Sequence, residues 1–453
     1  MWGHSRQHAV TSILAAALTA TSAVLSAAPP PVSILPTPTP APATQSFPAA
    51  FPTPPAAPPT PIPEAVLAWN VADAGVLLGV IEGIDSEGLI PADYRPDALR
   101  SAIAAGPGIA LNAAASQSFA WLAEDLRDGR TPMTARLQWF ALDPDQDAMP
   151  TAALEAKALD SHDVAGVLTG LAPTHPDYAV LKAALAATPT SDKAMRSKLR
   201  ANMDRWRWLK QDLGPVYLMT NVPEFQLRLT VNNNIIRTYR TIVGKPGRTA
   251  TPQLAEMVQN VVFNPTWTVP QSIVVGEGMG ARLIRDPAAA RRQGYAVSRA
   301  KDGTISVVQQ PGRGNSLGLM KIDMPNPHAI YLHDTPSRNL FNAPVRAFSH
   351  GCIRTERAQE LGMTMAMLGA DLTVDQAVAY ANSGKYTKVP MTKTFPVYIA
   401  YFTMARDISG KLATFNDIYG RDAPVLASFN AARQLKTSQR TSNEAIIKLD
   451  NPL

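Results

Sequence analysis

The sequence predicts an α+β protein, a helical half followed by a β-rich half, and three observations carry that expectation. Between about residues 64 and 207, apolar residues recur at helical spacing in alanine-rich stretches. After Gly214 the period drops to two, and Phe225, Leu227, Leu229 and Val231 alternate with polar neighbours. Composition allows both halves a packed core, since 46% of the 453 residues are hydrophobic and 17% charged. The 42 Lys and Arg exceed the 36 Asp and Glu by a formal +6. Over this length, with no basic block of five or more, that surplus is too weak to argue for nucleic acid. The single cysteine, Cys352, excludes an internal disulfide framework, Cys-rich zinc fingers and iron–sulfur ligation.

The chain opens with Arg6 between His4 and His8, followed by an uncharged, alanine-rich run from Ala9 to Ala28. That layout reads as a secretory signal peptide over residues 1–28, with small-residue cleavage sites after Ser26 or Ala28. The competing reading is an uncleaved anchor. Thr11, Ser12, Thr19, Thr21 and Ser22 dilute the run, whereas a span needs about 20 strongly apolar residues. No later segment reads as a transmembrane helix, so the mature chain is expected to be soluble and exported. Residues 29–63 hold 15 of the 40 prolines without a collagen period, a semi-rigid polyproline II linker.

The helical domain, 64–207, reads as stretches at 64–83, 95–105, 112–128, 151–171 and 177–187, broken by turn signals such as Gly88-Leu89-Ile90-Pro91. A last helix, 193–209, carries Arg196, Arg200, Arg205 and Arg207 with Trp206 and Trp208. Met195, Leu199 and Met203 recur on it as a packing face, which favours a structural junction over an RNA-binding helix. In the β-rich part, 214–402, strands are expected at 216–221, 225–231, 235–243, 257–263, 304–309 and 328–333, with Asn232-Asn233-Asn234 as a hairpin turn. Residues 403–453 read as a C-terminal helix and polar tail.

The chemistry concentrates in Tyr331-Leu332-His333-Asp334-Thr335-Pro336 and, with fifteen residues between it and His333, Ser349-His350-Gly351-Cys352-Ile353-Arg354. A free thiol is barely ionised at neutral pH, so a nucleophilic Cys352 needs an imidazole to take its proton, and His333 suits that role. Gly351 permits the positive φ or close approach that a backbone oxyanion site often requires. Arg354 offers a planar fork for a carboxylate. Two alternatives stand beside this one. A lone cysteine is often a small buried hydrophobe, and His333, Asp334, His350 and Cys352 are all metal-ligand types, although no CxxC or HExxH pattern accompanies them.

At these residues the sequence resembles the L,D-transpeptidases, whose YkuD-type catalytic domain carries a histidine followed by a Ser/Thr-His-Gly-Cys box. It is similar to the larger, YcbB-like periplasmic subgroup in several further segments. These are Asn202–Trp208, Asn221-Val222-Pro223, Ile242–Pro246, Asn264–Pro270, Asn315–Gly318 and Leu332–Pro336. The resemblance implies an N-terminal helical scaffold domain followed by a β-rich L,D-transpeptidase catalytic domain with an inserted lid, here at about 271–310 and rich in Arg282, Arg285, Arg291 and Arg292. A surface insertion with solvated charges is the other reading of that segment. Relatives often hold a small peptidoglycan-binding domain before the Arg-Trp helix, and here only Ala186–Ser197 is available for one.

The same resemblance implies a role in peptidoglycan biosynthesis and cell-wall biogenesis in the periplasm or cell envelope. Cys352 would attack the third-residue carbonyl of a stem tetrapeptide, D-alanine would leave, and an amine of a second stem would resolve the thioester into a 3→3 cross-link. His333 would move the protons. Backbone N–H groups near Gly351 and Cys352 would hold the oxyanion, Ser349 and His350 would orient the loop, and Tyr331 and Arg354 would contact the donor. Asp334 could polarise a neighbour but is not counted among the catalytic residues. No metal or organic cofactor is needed, and carbapenem-type inhibitors would act on the cysteine. Two other readings stay open: an L,D-carboxypeptidase or endopeptidase with water as acceptor, and a non-catalytic wall-binding protein.

Overall fold

The computed structural model describes residues 67–141, 148–276 and 278–433. The signal-peptide and proline-linker readings, and residues 434–453 of the tail, lie outside them. Contacts divide the chain at Glu64/Ala65, so every described residue belongs to one unit.

The helical domain comprises α1 (Val71–Gly83), α2 (Pro96–Ala105), α3 (Ile109–Asp128), α4 (Thr151–Ser161), α5 (Val164–Thr169), α6 (Pro176–Ala187) and α7 (Lys193–Trp206). Asn70 starts α1 by accepting the Asp73 N–H at 2.8 Å. The stretch 151–171 proves to be two helices. His162 takes a positive φ of 50°, and Asp163 restarts the chain by capping the Gly166 N–H. The first five helices enclose Leu77, Ile81, Leu111, Phe119, Leu122 and Leu168. On α7 the expected packing face is only partly used. Leu199 and Met203 are buried, but Met195 is 40% exposed, because α6 and the β-rich half cover only the C-terminal turns.

The β-rich half runs through β1 (Val216–Asn221), β2 (Gln226–Val231), β3 (Asn234–Gly244), β4 (Leu254–Met257), β5 (Asn260–Phe263) and β6 (Trp267–Thr268). Three short helices follow, α8 (Gln271–Gly276), α9 (Met279–Arg285) and α10 (Pro287–Arg292), then β7 (Tyr295–Arg299), β8 (Ile305–Gln309), β9 (Met320–Asp323), β10 (Leu332–His333), β11 (Ala347–Ser349) and β12 (Ile353–Thr355). The chain ends through α11 (Ala358–Ala370), α12 (Val374–Asn382), β13 (Thr387–Pro390), β14 (Pro396–Ala400), β15 (Met404–Arg406), β16 (Leu412–Thr414) and α13 (Asp422–Asn430).

The main sheet has the order β13-β5-β9-β10-β12-β3-β2-β1-β14-β4, with β11 also paired to β3. Asn232 and Asn233 adopt φ of 47° and 59°, so the asparagine run makes the β2–β3 turn as its chemistry suggests. The stretch 257–263 breaks instead into β4 and β5, which lie far apart in the sheet order: Val258 leaves the strand to bond the Phe395 carbonyl. One face of the sheet buries Leu227, Val261, Phe263, Met320, Ile322, Leu332 and Ile353, with Leu361 of α11. A second core joins the two halves, with Trp206 and Trp208 of the α7 end packed with Tyr217, Tyr398 and Phe402.

Residues 267–309 form a separate layer. Strands β6, β8 and β7 form a three-stranded sheet, and α8–α10 close over Val269, Val274, Leu283, Ala290 and Val307. Beyond residue 402 the chain is folded as far as α13, and Asp422 pairs with Arg205 of α7 at 2.7 Å. Among the described residues, no helix is long and apolar enough to cross a membrane.

Candidate active site

Strand register builds the site. β10 runs parallel to β12 with Leu332 opposite Ile353 and His333 opposite Arg354, and antiparallel to β9 with His333 opposite Lys321. Leu332, Ile353 and Ile322 are fully buried in the core, so their neighbours must face the other way. Tyr331, His333, Cys352, Arg354 and Lys321 therefore share one face. Residues nineteen or more apart in sequence meet because two short parallel strands lie side by side.

Cys352 sits at the end of a three-residue reversal between β11, parallel to β3, and β12, antiparallel to it. The reversal needs Gly351, whose φ is +119°, and a Cβ there would also come within 3.1 Å of Ile330. Ser349 Oγ donates to the Cys352 carbonyl at 2.6 Å and accepts the Gly351 N–H at 3.2 Å. The Gly351 N–H is therefore occupied. The Cys352 N–H has no partner among the described residues and is the free backbone donor at the thiol. His350 is exposed and makes no hydrogen bond among the described residues. Thr251 secures the turn from beneath, donating to the Gly351 carbonyl at 2.8 Å and accepting the Gly244 N–H at 2.9 Å. Tyr419 closes the ring by donating to the Gly244 carbonyl at 2.6 Å.

The thiol itself lies 3.5 Å from the Ala329 carbonyl, and no hydrogen bond joins it to His333. Ala329 is held at a φ of 51°, by a loop that Asn326 organises with bonds to the Met324 and Ile330 carbonyls and the His328 and Ile330 N–H groups. This loop is why the expected strand 328–333 shrinks to two residues. Tyr331 faces the thiol and hydrogen-bonds to it. Burial pushes the Cys352 thiol up, while the Tyr331 bonds and the charges of Lys321 and Arg354 oppose the rise. His333 is 5% exposed, with Nδ1 buried and unpartnered. Burial pushes its imidazole down to about 3, and the Arg354 and Lys321 charges add to that, against a hydrogen bond to the Asp334 backbone.

Asp334 does not bond the His333 ring through its carboxylate. It accepts the Leu319 N–H at 2.9 Å and pairs with Arg338 at 3.0 Å. Arg354 is half-buried and has no acidic partner among the described residues, and burial lowers its basicity. A carboxylate brought to it would relieve that cost. Lys321, which sequence reasoning did not single out, lies 4.3 Å over the Tyr331 ring and 3.0 Å from Asp323. Thr251, Asn326, Ala329 and Tyr419 were also not anticipated. Their only sequence signal was nearness to the quoted motifs, and for Tyr419 there was none. Among the described residues, no cluster of His, Cys, Asp and Glu could hold a metal ion.

Comparison with known proteins adds the following. Residues 215–367 match the family model of the L,D-transpeptidase catalytic domain, and residues 65–185 match that of a scaffold domain. A Haemophilus influenzae protein, provisionally named an L,D-transpeptidase, is 29% identical over 259 residues, which is 53% of this chain and 52% of that protein. The chain thus spans about half the length of the curated relative it matches. Among solved structures, an L,D-transpeptidase from Mycobacterium smegmatis is 14% identical with a TM-score of 0.21, covering 41% of this chain and 58% of that one. An L,D-transpeptidase solved with imipenem is 16% identical with a TM-score of 0.20, covering 41% and 59%.

Proposed function

We infer that this chain, an L,D-transpeptidase family member with a scaffold domain ahead of its catalytic domain, forms 3→3 cross-links between peptidoglycan stem peptides through a thioester on Cys352. The observation that supports the reading is the parallel pairing of β10 with β12, His333 opposite Arg354, with Tyr331 and Cys352 immediately ahead of the two strands.

The neutral imidazole of His333 takes the Sγ proton as sulfur attacks the carbonyl of the third stem residue. Charge moves onto the substrate oxygen, where the Cys352 N–H donates to it. A weakly basic imidazole makes a strongly acidic imidazolium, so His333 readily protonates the departing D-alanine nitrogen as the C–N bond breaks. An acceptor amine then attacks the thioester and passes its proton to His333. The C–S bond breaks as the new amide forms, and His333 returns the proton to sulfur to restore the thiol. Arg354 suits a donor carboxylate, and Tyr331 holds the sulfur in place. Export to the cell envelope on a signal peptide over residues 1–28 belongs to the same reading.

The test is intact mass spectrometry of the chain incubated with a carbapenem, beside Cys352→Ala. One covalent adduct on the parent alone is expected, and no adduct on the parent would refute an activated nucleophile. Disaccharide-tetrapeptide should then yield cross-linked dimer with released D-alanine. Tripeptide without dimer would assign hydrolysis instead.

A further inference from the structure

Between Gln271 and Arg313 the chain carries seven Lys and Arg against three Asp and Glu, a surplus of four out of the formal +6. The lid's own packing decides where these charges go. On α9, Leu283 enters the small core and Gly280 lies against Val274, where a Cβ would come within 2.6 Å; on α10, Ala290 turns inward. Arg282, Arg285, Arg291 and Arg292 are left exposed on the outer side.

Elsewhere in the molecule guanidinium groups are commonly tied to acids: Arg130 to Asp93, Arg205 to Asp422, Arg228 to Glu224 and Arg240 to Glu356. None of the four lid arginines has an acidic partner among the described residues. The nearest acid in sequence, Asp286, accepts the Ala289 N–H to start α10. Both ends of the segment are fastened beside the catalytic face. Trp267 hydrogen-bonds Tyr331 at one end. At the other, Asn315 ties the Pro265 and Gln310 carbonyls together, and Gly318 fits against Asp334 with no room for a side chain. Only residues 188–192 join α6 to α7, so no separate wall-binding module lies there.

We propose that the outer face of the lid, through Arg282, Arg285, Arg291 and Arg292, binds the carboxylates of peptidoglycan stem peptides outside the reacting pair and so anchors the enzyme to the wall. The inference rests on the function proposed above, which makes the wall the polymer in question. Exposed guanidinium forks with no acidic partner among the described residues raise the local potential, and they match carboxylates in bidentate geometry. The attraction is exposed and therefore screened by salt.

The experiment is co-sedimentation with purified peptidoglycan in a Cys352→Ala background, so that turnover plays no part. Five proteins or conditions are compared: the parent, a variant with all four arginines changed to Gln, raised salt, peptidoglycan whose carboxyls have been amidated, and anionic lipid vesicles in place of wall. Thermal melts check that the variant is folded, as exposed side chains should allow. Binding is expected to fall at least about tenfold in the variant, at high salt and on amidated wall. Equal binding by the variant, or undiminished binding to amidated wall, would overturn the proposal, as would binding to anionic lipid vesicles and not to wall. A carbapenem adduct on the active enzyme alongside any of these results would show that the lid assignment failed and the catalytic one did not.

Discussion

At Cys352 and His333 burial acts on two groups of opposite charge type and drives both toward neutrality. The thiol rises above its ordinary value near 8.5 and the imidazole falls to about 3. Between those limits the thiol keeps its proton and the imidazole has none, so the pair rests uncharged across neutral pH. Alkylation of Cys352 by iodoacetamide should therefore climb about tenfold per pH unit from 6 to 8 without a plateau. His333→Gln should leave that profile in place and abolish acyl transfer. A plateau below pH 7 that disappears in His333→Gln would reveal a preformed ion pair and contradict this account. At this scale the sequence was informative, since the histidine and cysteine were nameable from residue chemistry and the resemblance. Their protonation was not, because it depends on how much water the fold removes.

Among the elements, the β11–β12 reversal is short, strained and supported from outside itself. Thr251 holds it with two hydrogen bonds and is fully buried. Thr251→Val keeps the shape and orphans the Gly351 carbonyl and the Gly244 N–H, at about 1–3 kcal/mol each. A lower melting temperature and at least tenfold slower carbapenem acylation are expected, with Thr251→Ser restoring both. Unaltered acylation would remove Thr251 from the site's support. The asparagine hairpin and the alternation of β2 were legible because turn and strand chemistry are local. The contraction of 328–333 to β10 was not, because it follows from Asn326 bonding four backbone groups that only a closed loop brings within reach.

Across the whole molecule, the scaffold and catalytic halves share a core and a buried charge network. Asp204 of α7 is fully buried and accepts the Arg130 N–H at 2.6 Å, the Thr131 N–H at 3.0 Å and the Trp208 indole at 3.0 Å. Trp206 stacks between His175 at 4.3 Å and Phe402 at 4.7 Å. Phe140, from the helical half, lies 4.0 Å from His328, next to the carbonyl that meets the thiol. Asp204→Ala should cost about 3–5 kcal/mol, since it strands three donors beside Arg207. Denaturant melts should show one shifted transition for both halves. Two transitions, with the catalytic half unmoved, would mean the halves are stable independently. The sequence by itself determined the order of a helical and a β-rich half, the lone cysteine with a histidine near it, and the basic character of residues 271–310, because periodicity and residue chemistry are properties of the chain. Only the tertiary structure decided that Lys321 and Arg354 flank His333, that Thr251 and Tyr419 brace Cys352, and that the helical half reaches the thiol's loop. Strand register and burial bring together residues that no spacing along the chain relates.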